Sequence, residues 1–95
     1  MTNLNLEKIK SILVENGVES AAIFGSRARG EEKPGSDLDI LIKFREDKVK
    51  GLFDFISLER KLSETLGLKV DLVTEDSISP YIKESVLKDL KIIYQ

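Results

Sequence analysis

The chain of 95 residues carries 15 basic and 17 acidic side chains, giving a net charge of −2 and a pI near 5.2. It has no cysteine and no histidine, which excludes disulfides, thiolate metal sites and cysteine or histidine catalysis. Acid–base chemistry falls to Asp, Glu, Lys or Tyr, and any metal site must be built from oxygen ligands, which favour hard cations.

With 41% hydrophobic and 34% charged residues, the composition is that of a soluble globular protein rather than a disordered one. A slightly acidic chain is no general nucleic-acid binder that works through a basic surface. The length suits one domain, residues 1–95. Its apolar runs are only a few residues long, so no membrane span is expected. No basic leader with an apolar stretch opens the chain, and the expected location is the cytoplasm.

In chain order, Leu6, Ile9, Ile12 and Leu13 recur at helical spacing between Asn5, a suitable N-cap, and Gly17, a suitable stop. AAIF (21–24) and DLDILIKF (37–44) predict strands separated by the Pro34-Gly35 turn signal. Residues 51–67 predict a second helix with Leu52, Phe55, Ile56, Leu62 and Leu66 on one side and Gly67 at its end. Within it, Phe53 and Phe55 serve either as core or as a contact patch. KVDLVT (69–74) alternates as a strand, Ser79-Pro80 opens a third helix carrying Ile82, Val86 and Leu90, and KIIY (91–94) predicts a last edge strand.

The 24 residues 45–68 are long enough for a helical crossover between parallel strands. The link between the first two strands is too short for one, which predicts an antiparallel pair. An α+β fold with a small mixed sheet flanked by helices follows.

Gly25-Ser26 is separated by ten residues from Asp37-Leu38-Asp39. On a strand, Asp37 and Asp39 leave the same face about 6–7 Å apart, opposite a core stripe of Leu38, Ile40 and Ile42. They repel each other and have no obvious cationic neighbour in the sequence, so a divalent cation between them would remove that cost. Parallel pairing would bring Asp71 to the same sheet end. Three carboxylates there suit a two-metal site for phosphoryl or nucleotidyl displacement, with Asp71 as base.

The antiparallel pair would set the exit of the first strand beside the start of the second. Gly25 then lets a phosphate approach the backbone, while Ser26 donates to its oxygens. Arg27 and Arg29 add positive charge suited to a triphosphate. Taken singly, Gly-Ser is an ordinary turn, DxD an ordinary solvated strand face, and the two arginines ordinary partners for Glu31 or Glu32. The conjunction is what separates the functional pattern from these, since it arises by chance in roughly one such chain in a thousand at average residue usage.

The stretches IFGS (23–26), DLD (37–39) and VDLV (70–73) resemble the signature of the DNA polymerase β nucleotidyltransferase superfamily, hG[GS], [DE]h[DE] and a third carboxylate on a later strand. The likeness is greatest to its minimal nucleotidyltransferase (MNT) group and runs from about residue 5 to the C-terminus, including VLKDLKIIYQ. It implies a polymerase β-like fold in which Asp37, Asp39 and Asp71 bind two Mg²⁺ ions and Asp71 acts as base. Gly25, Ser26 and Ser36 would hold the phosphates of ATP, and Arg29 matches a triphosphate-contacting position. Arg27 falls at a variable position and receives no role from the resemblance.

MNT proteins of the MntA-like kind are antitoxins paired with HEPN-domain ribonuclease toxins, and active members transfer AMP to a toxin tyrosine. The resemblance therefore implies such a partner, with no membrane or direct nucleic-acid binding and with oligomerisation left open. Two alternatives stand beside it: an antitoxin that acts by binding alone, and transfer of a nucleotide to a small-molecule hydroxyl.

Overall fold

The computed structural model describes residues 5–25, 28, 30, 37–48 and 51–95, with Lys48 and Ile82 described in backbone alone. Asn5 Oδ1 accepts the Lys8 N–H at 3.1 Å and caps helix α1, Leu6–Glu15. Gly17 follows the helix at φ 78°, the left-handed position where glycine costs least. Helix α1 buries Ile9, Ile12 and Leu13 of its predicted stripe, while Leu6, in the first turn, is 46% exposed.

Strand β1 spans Val18–Phe24 and is longer than its apolar run. Glu19 and Ser20 make its first half look polar, yet Val18 is buried and pairs with Phe44. Glu19 meets Lys43 of the neighbouring strand at 3.5 Å. Strand β2, Leu38–Phe44, runs antiparallel to β1 with Phe24 opposite Asp39. Helix α2, Leu52–Leu66, ends at Gly67 in the left-handed region and leads into β3, Val70–Thr74, which lies parallel to β2. Helix α3, Pro80–Lys88, has Ser79 Oγ as its cap and Pro80 at its first position. Strand β4, Lys91–Tyr94, pairs antiparallel with β1, completing the sheet order β3-β2-β1-β4.

The core lies between one sheet face and two helices. Ala21, Ile23, Leu38, Ile40, Ile42, Val70 and Leu72 meet Ile9, Ile12 and Leu13 of α1 and Leu58 and Leu62 of α2. Each large aliphatic side chain removed from water this way contributes about 1.5–3 kcal/mol before chain entropy is counted.

The buried stripe of α2 differs from the one its sequence predicts. Leu58 is buried, whereas Leu52 and Ile56 are 70% and 45% exposed. Leu58 completes a stripe with Phe55 and Leu62 at three- and four-residue spacing, so it takes the place assigned to Ile56. Leu52, in the first turn, instead lines a cleft at the end of the sheet. Phe55 is half-buried, with its ring centroid 6.4 Å from that of Phe44 in an edge-on arrangement, while Phe53 is 85% exposed.

Strand β3 is an edge, and α2 satisfies two of its backbone donors. The Leu72 N–H donates to Glu59 Oε2 at 2.9 Å, and the Val70 N–H donates to Ser63 Oγ at 3.0 Å. At the other edge, Tyr94 Oη donates to the Val18 carbonyl at 2.6 Å, with Lys10 Nζ 5.8 Å from the centre of the Tyr94 ring.

Candidate functional site

The site begins where β1 stops. Gly25 holds φ 78°, and its carbonyl accepts the Ala28 N–H at 3.1 Å, closing a tight turn. Ala28 is buried in the core cluster and anchors that turn, a role its sequence context does not announce. A Cβ at Gly25 would overlap Oδ2 of Asp39 and lie 3.3 Å from its Cγ. Glycine is therefore required here both by backbone conformation and by the carboxylate packed against it.

Strand β2 presents Asp39 half-buried, with Asp37 one residue before the strand. The opposite face carries Leu38, Ile40 and Ile42, each no more than 1% exposed, as the alternation predicts. In the parallel ladder Leu38 stands opposite Val70 and Asp39 opposite Asp71. Parallel strands run about 4.8 Å apart, so the Asp39 and Asp71 carboxylates leave neighbouring strands on the same face. The exit of β1 lies beside the start of β2, as expected, and Gly25, Asp39 and Asp71 share one end of the sheet.

Asp37 departs from expectation. Lys69 Nζ lies 3.7 Å from Asp37 Oδ2, so this carboxylate does have a cationic neighbour. The signal was present in the parallel register: if Asp71 pairs with Asp39, the residue two before it comes level with Asp37. The two pairs thus differ in sign, attractive at Asp37 and Lys69 and repulsive at Asp39 and Asp71.

Among the described residues, no three acidic side chains are grouped closely enough, as they stand, to hold a metal ion. The donor chemistry nonetheless fits a hard divalent cation, since Asp37, Asp39 and Asp71 offer carboxylate oxygens at one sheet end. The Asp39 carboxylate packs directly against the bare backbone of Gly25. Ser26, Arg27, Arg29 and Ser36 lie outside the described residues.

A cleft of about 630 Å³ lies at the opposite end of β2 and β3, lined by Phe44, Leu52, Phe55, Thr74 and Asp76 among others. It contains none of the candidate carboxylates. No helix of the described residues is long and apolar enough to cross a membrane.

The nucleotidyltransferase domain family matches residues 6–93 of the chain. The protein adenylyltransferase MntA of Thermococcus cleftensis is 42% identical over 98 residues, covering 95% of this chain and 97% of that protein. Among solved structures, a chain of a toxin–antitoxin complex with AMP-PNP superposes with a TM-score of 0.83 at 28% identity, covering 96% of this chain and 73% of that one. A chain from the complex of tri-AMPylated Shewanella oneidensis HEPN toxin with MNT antitoxin superposes at 0.75 with 26% identity, covering 99% of this chain and 72% of that one.

Proposed function

The chain belongs to the nucleotidyltransferase domain family, and from that membership we propose that it transfers AMP from ATP to a tyrosine hydroxyl of a partner HEPN-domain toxin, acting with Mg²⁺ as that toxin's antitoxin. The observation that carries this proposal is the pairing of Asp39 with Asp71 across parallel strands, with Gly25 against Asp39. That arrangement suits nucleotidyl transfer, which needs carboxylates beside a backbone that a triphosphate can approach. Support for the substrate and partner comes from the Thermococcus cleftensis protein adenylyltransferase and from the solved complex containing an AMPylated HEPN toxin.

In this mechanism the acceptor hydroxyl oxygen bonds to the α-phosphorus of ATP as the bond to the pyrophosphate oxygen breaks. The hydroxyl proton passes to Asp71, because the chain contains no histidine to take it. Asp37, Asp39 and Asp71 would hold Mg²⁺, which when bound supplies positive charge against the phosphates. Gly25, Ser26, Arg29 and Ser36 are assigned to the phosphates, with pyrophosphate the leaving group. The setting is the cytoplasm, where ATP and the toxin would meet.

Labelled ATP, Mg²⁺ and the partner toxin, incubated with the chain or with its Asp37→Asn/Asp39→Asn variant, test this. The expected result is label and a mass gain of AMP on the toxin, lost with the variant. A tight complex without transfer of any nucleotide would replace the proposal with neutralisation by binding. Transfer undiminished in the variant would remove these carboxylates from the mechanism.

A further inference from the structure

Lys69 immediately precedes β3 and shares a strand face with Asp71. Its carbonyl accepts the Leu38 N–H at 2.9 Å, so the backbone holds this residue beside the start of β2. From there its ammonium reaches within 3.7 Å of Asp37 Oδ2. We propose that Lys69 is a tethered counter-ion that competes with the divalent cation for Asp37, a positioning residue that sets the metal affinity of the site. The proposal rests on the metal-dependent function above.

The physical case is one of matched weakness. Asp37, Asp39 and Asp71 come to one end of the sheet, and without compensation their charges repel. Lys69 offsets the charge of one of them, Asp37. The side chains of Lys69 and Asp37 are 76% and 43% exposed, so water and salt screen the pair and keep it weak. A weak pair can be displaced, since a dication brings twice the charge and closer contact to the same oxygen. Once Asp37 is taken by metal, the ammonium has only repulsion to offer the ion beside it. Lys69 therefore steadies the metal-free site and lowers its affinity for the cation.

The test measures Mg²⁺ and Mn²⁺ binding to the full chain by calorimetry for the wild type, Lys69→Met and Lys69→Arg. Melting of the metal-free proteins is measured with and without Asp37→Asn. Lys69→Met should bind metal about three- to tenfold more tightly, and Lys69→Arg should stay near wild type. Lys69→Met should also lower the metal-free melting temperature, an effect that disappears in the Asp37→Asn background if it acts through that carboxylate. Wild-type metal binding with unchanged or weaker binding by Lys69→Met overturns the proposal and leaves the metal-dependent function standing. Failure of the wild type to bind either metal removes both.

Discussion

Gly25 and Asp39 are packed so closely that the direction a Cβ would take from Gly25 is occupied by a carboxylate oxygen of Asp39. The turn that ends β1 and the strand that carries the acid are thus one unit. A change in either moves the other.

Gly25→Ala meets two penalties, a left-handed φ of 78° and overlap with Asp39. We expect a stability loss of about 1–3 kcal/mol, read by denaturant melts. Nucleotide transfer by the fraction still folded should also fall, because Asp39 must turn away from its position opposite Asp71. Full activity per folded molecule would show that the Asp39 carboxylate has freedom this geometry denies it.

Asp71→Asn removes one of two like charges facing each other across β2 and β3. At low ionic strength the metal-free variant should melt above wild type, and its stabilisation by Mg²⁺ should shrink. Transfer should fall by about 10²-fold or more, the usual contribution of a positioned base. A variant that melts lower and gains as much from Mg²⁺ as wild type would place Asp71 outside the metal site.

Glu59 and Ser63 reach from α2 to two backbone donors of β3. Glu59→Ala and Ser63→Ala should each cost about 1–2 kcal/mol in chemical denaturation, the range for leaving a part-buried donor without its partner. Glu59→Gln keeps an acceptor oxygen and should cost less than half as much as Glu59→Ala. Equal losses for the two Glu59 variants would mean that the charge, not the hydrogen bond, matters.

Burial pushes the Tyr94 hydroxyl from its ordinary 10.0 up to about 12. A folded-state value above the unfolded one adds stability that is complete below pH 10 and lost as the pH climbs towards 12. Tyr94→Phe should flatten this alkaline decline. At neutral pH it should cost about 1 kcal/mol through loss of the hydrogen bond to Val18. Equal alkaline slopes in melts between pH 9 and 12 would remove Tyr94 as the source.

Most of the architecture is legible because its punctuation is local. Asn5, Gly17, Gly67 and Ser79-Pro80 each mark a helix end through the backbone conformation or cap they supply. The parallel β2–β3 pair follows from the length of the link, and its register brings Asp39 level with Asp71. What stayed hidden depends on neighbours distant in sequence. Leu58 is selected over Ile56 by the way α2 sits on the sheet, and Glu59 reads as a solvent-facing acid until β3 presents an amide to it. Lys69 belongs to this class too, since its pairing with Asp37 exists only once two strands are aligned.

The occupied amides of β3 also bear on how copies of the chain avoid one another. An exposed strand edge is a template on which a second chain can lay a strand of its own, the common first step towards aggregates. With the Val70 and Leu72 donors already bonded to helix side chains, a foreign strand arriving at that edge finds few partners for its carbonyls. Strand-by-strand accretion is thereby steered to the β4 margin, and the helix that fills the core also keeps the sheet from growing on its far side.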